Sequence, residues 1–245
     1  MRLRDRVAVI TGASKGLGRE IARQFAQSGA RLVLVARGEM SLHDVGEELS
    51  RTTEVLALSA DVGEEAEEIA RSALDRFGRV DVLINNASEI GPSPMPSLDA
   101  YPWDALLRVF RINAVAPLHL IQLLLPQMRA RREGVIINVT SDAGVQAYAG
   151  WGGYGASKAA LEHLSRVLAA ELEGSGIRIY VVDPGDMNTE MHRQAEPGVD
   201  LSHLPGPEVP APAFVRLVEE ESAPFGRFEA LKLIAGPADV RSGAR

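Results

Sequence analysis

The chain has 245 residues, of which 46% are hydrophobic and 24% charged, and its formal net charge is −7 at neutral pH. These proportions exclude disordered, collagen-like and disulfide-rich chains, and the absence of cysteine excludes thiolate metal sites and a cysteine nucleophile. The acidic balance disfavours a nucleic-acid partner and no apolar run approaches the roughly 20 residues that span a bilayer, so we expect a cytoplasmic protein with no membrane partner and no metal.

Short apolar runs alternate with longer amphipathic segments along the chain. The predicted strands are 7–10, 31–35, 54–58, 82–84, 135–139 and 177–182, and the predicted helices are 16–28, 42–51, 64–77, 102–131 and 154–173. Because the strands are apolar without alternation, we expect a parallel sheet that is covered on both faces. The pattern predicts right-handed βαβ units and one α/β domain over residues 1–245, with a doubly wound sheet between two layers of helices.

A glycine-rich turn, TGASKGLG at residues 11–18, follows the first predicted strand. Glycines at 12, 16 and 18 permit a tight turn, close approach of the backbone to a phosphate, and close packing of helix on strand. The helix that begins here presents free N–H groups to an anion. The spacing matches neither the common dinucleotide motif nor a P-loop, so the turn alone indicates a phosphate site or a structural turn.

The second predicted strand ends in Val35, Ala36 and Arg37. A carboxylate here favours NAD by binding the adenosine ribose, whereas a nearby arginine accommodates the 2′-phosphate of NADP. Ala36 supplies no carboxylate, and Lys15 in the glycine-rich turn adds a second cation. If the turn binds a cofactor, these residues predict NADP(H) in preference to NAD(H); otherwise they are ordinary surface charges.

Two predicted helices have more apolar residues than are needed to pack one helix face against the sheet. Leu118 to Leu125 is apolar on every side of its helix apart from His119 and Gln122, and leucines at 161, 164, 168 and 172 form a stripe. A helix that is apolar all round is buried all round, either in a thick core or at a subunit interface. We favour a homodimer or homotetramer formed through helices at about 103–131 and 154–173.

Tyr154 and Lys158 lie four residues apart, and therefore on one face of a predicted helix. A tyrosine in water has a pKa of about 10, and a neighbouring ammonium stabilises the phenolate and lowers this pKa. The pair suits general acid–base catalysis at an alcohol or carbonyl oxygen, although the same spacing also occurs by chance in many helices.

The chain changes character after Thr189, where prolines at 197, 205, 207, 210 and 212 are mixed with glycines and two histidines. Such a composition predicts no regular structure. Because a strand precedes the segment and a predicted helix at 213–221 follows it, we expect residues 186–212 to form a mobile substrate lid rather than a passive linker. His192 and His203 on this lid are candidates for contact with a polar substrate, or inert surface residues.

Together these motifs resemble those of the classical short-chain dehydrogenases/reductases, from about Arg6 to Met191. The likeness rests on the glycine-rich turn, Asp61-Val62, NNAS at 85–88, Asn113, Ser141, YGASK at 154–158 and DPGDMNT at 183–189. It implies a Rossmann-like, NAD(P)-binding fold of about seven strands.

The resemblance also implies roles for individual residues. Tyr154 would be the acid–base group, Lys158 would bind the nicotinamide ribose and depress the tyrosine pKa, and Ser141 would hold the substrate oxygen. Asn113 would anchor a water in the proton relay, or alternatively cap a helix, and Asp61 would contact the adenine or be an N-cap. The implied cofactor contacts are Gly12, Ser14, Lys15, Gly16, Leu17, Gly18, Arg37, Asp61, Val62, Asn86, Ala87, Tyr154, Lys158, Pro184, Gly185 and Thr189.

The chain departs from the family pattern beside the cofactor and at its end. Ser88 replaces the usual glycine of NNAG, a change that we expect to be tolerated. The usual last strand ending in Asp-Gly-Gly is absent, and residues 226–233 are the candidate for that strand, followed by an atypical tail at about 236–245. We expect Val145, Tyr148 and Trp151, together with Ser141, to bind the substrate through apolar and aromatic surface.

The implied function is reversible hydride transfer between NADP(H) and a small-molecule ketone or aldehyde and its alcohol. Two alternatives stay open: reduction of 3-oxoacyl-thioester or polyketide-type carbonyls, and non-catalytic redox sensing through NADP. A structural scaffold is weaker still. The complete set of Tyr154, Lys158, Ser141 and Asn113 argues against a sensor, because a binder that does no chemistry needs no proton relay.

Overall fold

Seven parallel strands form the central sheet of the computed structural model, which describes residues 1–235. The strands are Val7–Thr11 (β1), Arg31–Ala36 (β2), Val55–Ser59 (β3), Val82–Asn85 (β4), Gly134–Val139 (β5), Ile177–Asp183 (β6) and Phe225–Glu229 (β7). Their order is β3-β2-β1-β4-β5-β6-β7, so the chain reverses its progress across the sheet between β1 and β4. Ligands of doubly wound sheets bind at such a switch point, beyond the carboxyl ends of the strands.

Helices cover both faces of the sheet. They are Gly16–Gln27 (α1), Glu39–Ser50 (α2), Ala66–Phe77 (α3), Trp103–Phe110 (α4), Ala116–Arg131 (α5), Gly152–Glu171 (α6), Glu190–Ala195 (α7), Pro212–Glu219 (α8) and Ala230–Ala235 (α9). Alternate residues of one strand face different cores: Ala8 packs in the core that contains α1, and Val9 packs in the core that contains α3. This explains the continuous apolar runs, and the predicted three-layer α/β fold is confirmed.

The predicted helix at 102–131 is interrupted by a π-helical turn, Arg111–Val115, between α4 and α5. A π turn adds one residue to the helical repeat and often marks a functional site. Here it contains Asn113, whose side chain is completely buried.

The C-terminal part of the chain differs from the sequence prediction in two places. The predicted strand at 226–233 is too long, because β7 ends at Glu229 and helix α9 begins at the next residue. Helix α7 lies within the 186–212 segment, for which the composition predicts no regular structure. The hydroxyl of Thr189 stabilises α7 by accepting a 3.3 Å hydrogen bond from the backbone N–H of His192. The predicted tail at 236–245 lies outside the described residues.

The apolar surface of α5 is covered mostly by the chain itself. The segment Trp103–Arg131 is long and apolar enough to cross a membrane by length and composition alone. However, Leu120, Ile121 and Leu124 are buried in the core on the α3 side of the sheet, which is typical of a core helix. Exposed apolar side chains nevertheless remain on the helices predicted to form an interface, so the oligomer stays a prediction: Trp103, Leu107, Val115 and Val167.

Candidate active site

The glycine-rich turn joins β1 to α1 at the switch point of the sheet. Gly16 has a φ of +53°, in the left-handed region that favours glycine. A Cβ on Gly18 would lie 2.3 Å from the carbonyl oxygen of Gly12, so this position accepts only hydrogen. Among residues 1–235, no side chain caps the first N–H groups of α1, and these groups can therefore bind an anion.

Asn86 fastens this turn to the end of β4. Its Nδ2 donates to the carbonyl oxygens of Thr11 at 2.9 Å and Gly12 at 3.2 Å. The Thr11 hydroxyl in turn accepts from the backbone N–H groups of Asn86 and Ala87, both at 3.0 Å. The structure thus brings Asn86 and Ala87 against the turn, and the Asn86 side chain holds the backbone that surrounds the anion site.

The residues predicted for the adenosine end of a cofactor lie beyond β2 and β3. The exposed guanidinium of Arg37 is 3.8 Å from Oδ2 of Asp61 and 3.9 Å from Oε2 of Glu89. Asp61 accepts a 2.8 Å hydrogen bond from the N–H of Gly63, so it shapes a turn ahead of α3 and is not the N-cap of that helix. Val62 is buried in the core on the α3 side. Glu89 could not be found from the sequence, because its acidic type alone gives no signal of proximity to Arg37.

Lys15, the second cation predicted at this end, forms a 2.7 Å ion pair with Glu190, the first residue of α7. Of the other predicted turn residues, Ser14 is half-buried and Leu17 packs in the core that contains α1. Glu190 was missed because the sequence does not show that the segment after Thr189 returns to the glycine-rich turn.

Ser141, Tyr154 and Lys158 meet near the carboxyl end of β5. Ser141 and Tyr154 line one cavity together with Pro184, Gly185 and Thr189. Nζ of Lys158 lies 5.4 Å from the centre of the Tyr154 ring and donates a 3.0 Å hydrogen bond to the carbonyl oxygen of Val139. Only 2% of Lys158 is exposed, because α6 packs this side chain between the tyrosine and the strand.

Burial controls the protonation of both groups. It raises the pKa of Tyr154 to about 12; the hydroxyls of Ser88 and Ser141 oppose this rise, and the carboxylates of Asp183 and Asp142 add to it. Burial also lowers the pKa of Lys158 to about 7. For the protein groups by themselves, loss of hydration is the largest cause of the raised Tyr154 pKa, and Lys158 is not among the groups that shift it. The expectation that Lys158 depresses the tyrosine pKa stays a prediction.

Asn113 connects the loop after β4 to α6. Its Nδ2 donates to the carbonyl oxygen of Glu89 at 2.8 Å and to the hydroxyl of Ser157 at 2.9 Å. Its Oδ1 accepts from the hydroxyl of Ser88 at 3.1 Å and the N–H of Glu89 at 2.8 Å. Ser157 then donates a 2.6 Å bond to the carbonyl oxygen of Tyr154. All four hydrogen-bonding positions of the Asn113 amide are used, so a water in a proton relay would have to bind its backbone carbonyl instead.

The walls of the cavity differ from those predicted. Trp151 lines the cavity and packs edge-on against Tyr154, with ring centres 5.8 Å apart. His192 also lines it and packs edge-on against Trp151 at 6.3 Å, whereas His203 is exposed. Val145 and Tyr148 are 57% and 46% exposed and lie outside the cavity. The rest of the apolar wall consists of Met187 and Met191 on the predicted lid, together with Ile90 and Ala195, to which the sequence gave no role.

A cluster of charged side chains contacts the backbone of Ser141. Arg227, on β7, lies 3.1 Å from Glu162 and 3.5 Å from Asp183, and its Nη2 is 3.5 Å from the carbonyl oxygen of Ser141. Glu162 is 2% exposed and also accepts a 2.8 Å hydrogen bond from the Thr140 hydroxyl. No sequence pattern connects these residues, because only the pairing of β6 with β7 brings them together.

An anion-binding turn at the switch point, beside a serine, a tyrosine and a buried lysine, defines a nucleotide-binding oxidoreductase. Within residues 1–235, no group of three or more His, Cys, Asp or Glu side chains is placed to hold a metal ion. Residues 6–200 match the family model of the short chain dehydrogenases, and the chain belongs to this family.

Named relatives cover most of the chain. The rhamnolipids biosynthesis 3-oxoacyl-[acyl-carrier-protein] reductase of Pseudomonas aeruginosa is 37% identical over 202 residues, which are 78% of this chain and 76% of that protein. The structure of the oxidoreductase YciK from Escherichia coli has a TM-score of 0.84 at 29% identity, with 94% and 96% of the two chains covered. An alcohol dehydrogenase from Thermococcus sibiricus, solved with 5-hydroxy-NADP, has a TM-score of 0.81 at 28% identity, with 92% and 96% covered.

Proposed function

We propose that the protein is an NADP(H)-dependent oxidoreductase that interconverts a ketone or aldehyde and the corresponding alcohol. The observation that carries this proposal is the meeting of Ser141 and Tyr154 in one cavity, whose wall residue Thr189 lies against Gly16 of the glycine-rich turn. The residues present fit the cofactor, because the turn leaves N–H groups for a pyrophosphate and the space beside Gly16 is open, where a Cβ would have only the methyl carbon of Thr189 within 4 Å.

The chain supplies proton transfer and orientation, while NADPH, when bound, supplies the hydride. The hydroxyls of Ser141 and Tyr154 are both able to hydrogen-bond a single carbonyl oxygen in the cavity. Because burial raises the pKa of Tyr154 to about 12, the phenol is protonated at neutral pH and serves as the proton donor to that oxygen. The ammonium of Lys158 would hold a ribose hydroxyl of the cofactor.

Substitution of Tyr154 tests this mechanism. Tyr154→Phe removes the proton donor and keeps the ring, so NADPH binding measured by fluorescence titration should change little while reduction of a carbonyl panel falls more than a hundredfold. Tyr148→Phe is the matched control, since this exposed hydroxyl lies outside the cavity. Retention of more than a hundredth of wild-type activity by Tyr154→Phe would contradict the mechanism, and NADPH binding without oxidation in the wild type would favour the redox sensor.

The proposed preference for NADP is supported by Lys15 and Arg37 at the adenosine end and by Ala36, which offers no carboxylate. Loss of a charge-assisted contact to the 2′-phosphate costs about 1.5–3 kcal/mol, so Arg37→Asp should lower the NADP-to-NAD ratio of kcat/KM by roughly tenfold to a hundredfold. Arg51→Asp is the control, because that side chain is 78% exposed at the end of α2. An unchanged ratio in Arg37→Asp would refute the preference.

Reduction of a 3-oxoacyl thioester is the second candidate activity. It is favoured by the Pseudomonas aeruginosa relative, which carries that name, and the apolar wall of Ile90, Met187 and Met191 suits an acyl chain. Rates on acetoacetyl-CoA and on simple ketones, compared at saturating NADPH, separate the two candidates.

We also infer that the 186–212 segment moves as a lid over the cavity and that the chain forms a homodimer or homotetramer. The lid residues Met187 and Met191 support the first inference by lining the cavity, and the exposed apolar side chains of Trp103, Leu107 and Val167 support the second. Limited proteolysis with and without NADPH tests the lid, and light scattering at micromolar concentration tests the oligomer.

A further inference from the structure

The 186–212 segment is attached to the glycine-rich turn by one ion pair. Nζ of Lys15 donates a 2.7 Å hydrogen bond to Oε2 of Glu190. Lys15 is the last residue before α1 and Glu190 is the first residue of α7. The adjacent Thr189 also reaches the turn, since a Cβ on Gly16 would lie 3.8 Å from its Cγ2.

The carboxyl group of Glu190 is ionised and is paired with the Lys15 ammonium. Lys15 is the largest cause that lowers the pKa of its carboxyl group, and Gln194 donates a 3.3 Å hydrogen bond to its other oxygen. Both members of the pair are more than half exposed, with side-chain exposures of 64% for Lys15 and 52% for Glu190. An exposed pair of this kind is weak, so a stronger anion can displace the carboxylate.

Lys15 has two competing uses if the protein binds NADP. Its ammonium is one of the two cations available to a 2′-phosphate, and it cannot neutralise a phosphate and the Glu190 carboxylate equally well at once. NAD has no 2′-phosphate and makes no such demand on Lys15. The carboxylate therefore opposes one dinucleotide and leaves the other unaffected.

Resting on the proposed function, we propose that Glu190 is a specificity-determining residue whose carboxylate competes with the 2′-phosphate of NADP for Lys15. The residue weakens the preference for NADP over NAD that Lys15 and Arg37 create. Arg37 is in a similar position, with carboxylate oxygens of Asp61 and Glu89 at 3.8 and 3.9 Å, but those contacts are longer and divided between two partners.

Equilibrium binding of NADPH and NADH, measured by fluorescence titration at low salt, tests the proposal. Glu190→Gln keeps the size of the side chain and removes its charge. It should lower the Kd for NADPH by about twofold to fivefold, the range that an exposed ion pair can account for, and leave the Kd for NADH unchanged. The same substitution in a Lys15→Met background should have no effect on either Kd.

Glu196→Gln is the matched control, since Glu196 contacts His192 at 3.4 Å on the same segment and should leave the Kd ratio unchanged. Weaker NADPH binding by Glu190→Gln would overturn the proposal and show that the pair clamps the nucleotide. NADPH binding with an unchanged Kd ratio in Glu190→Gln overturns this proposal alone. Failure of the wild type to bind NADPH overturns both this proposal and the proposed function.

Discussion

Nδ2 of Asn113 donates a 2.9 Å hydrogen bond to the hydroxyl of Ser157, the residue that precedes Lys158 on α6. The same amide bonds both backbone groups of Glu89, so one buried side chain fixes the distance between the loop after β4 and the helix that carries the tyrosine and lysine. The position of Tyr154 and Lys158 relative to the loop after β4 thus depends on a residue that does not itself line the cavity.

Asn113→Leu tests this connection through stability. The substitution leaves several buried polar groups without partners, and each such group costs about 1–3 kcal/mol, so the free energy of unfolding in urea should fall by about 3 kcal/mol. Asn188→Leu removes only an exposed contact to Arg193 and should stay within about 0.5 kcal/mol of the wild type. Equal effects of the two substitutions would contradict the role given to Asn113.

Lys158 should titrate near neutrality in the protein without cofactor. Its pKa is lowered to about 7 by burial, and the chain contains only two other lysines, Lys15 and Lys232, so NMR of protein labelled with ¹³C at lysine Cε can resolve it. Lys158→Met identifies the signal. A midpoint above pH 9 for the signal that this variant loses would contradict the burial described.

The lowered pKa of Lys158 also determines whether this residue makes the folded protein more or less stable as the pH rises. The folded pKa of Lys158 is about 7 and the ordinary value is 10.5, so the unfolded chain binds more protons between these values. The contribution of Lys158 to the free energy of unfolding therefore rises with pH across this window. The difference in unfolding free energy between the wild type and Lys158→Met, measured from pH 6 to 10, should change in that direction; a flat difference would refute it.

Ser88 should assist ionisation of the tyrosine. Its hydroxyl donates to Oδ1 of Asn113 while the phenol is protonated, can rotate to donate to the phenolate, and opposes the rise in the Tyr154 pKa. Ser88→Ala should therefore raise that pKa further and shift the pH profile of kcat/KM for alcohol oxidation to higher pH. Ser88→Thr, which keeps a hydroxyl, should restore the wild-type profile, and Ser72→Ala on α3 should not move it. A profile that is unmoved or moves to lower pH in Ser88→Ala would count against this contact.

Arg227 should be more important for stability than exposed arginines. Arg227→Met leaves the buried carboxylate of Glu162 with the half-exposed Arg166 as its remaining charged partner, and breaking a buried pair costs up to about 3–5 kcal/mol. A combined Arg227→Met and Glu162→Met variant should recover more than half of that loss. Arg51→Met, which removes a pair exposed on both sides, should cost less than about 1 kcal/mol. A loss below 1 kcal/mol in Arg227→Met would show that the cluster is not a stabilising unit.

The sheet could be predicted from the sequence because its central strands are buried on both faces. Residues such as Ala8 and Val9 face different cores, which removes alternation and leaves the apolar runs that identify parallel strands. Strand β7 gives no such run, because its first four residues are only partly buried and its last residue, Glu229, is exposed. Its length was therefore overestimated at the point where α9 begins.

The parts of the candidate site whose functional residues lie close together in the sequence could be predicted, as in the glycine-rich turn and the Tyr154–Lys158 pair. Contacts between distant segments left no sequence signal, and Glu190 at Lys15 and Arg227 behind Ser141 are the examples. The π turn at Asn113 was missed because one inserted residue hardly disturbs a long helical repeat. Val145 and Tyr148 lie outside the cavity, and composition does not show which side of an irregular loop faces a cavity.

The crowding at Gly18 has a consequence for anyone who wants to retarget the cofactor of this protein. With a carbonyl oxygen only 2.3 Å from the position of a Cβ, even alanine at this site would force the opening strand and helix apart, so randomised libraries that include it would mostly yield misfolded clones. The side chains of Lys15, Arg37 and Glu190 are more than half exposed, so mutagenesis directed at them leaves the scaffold intact.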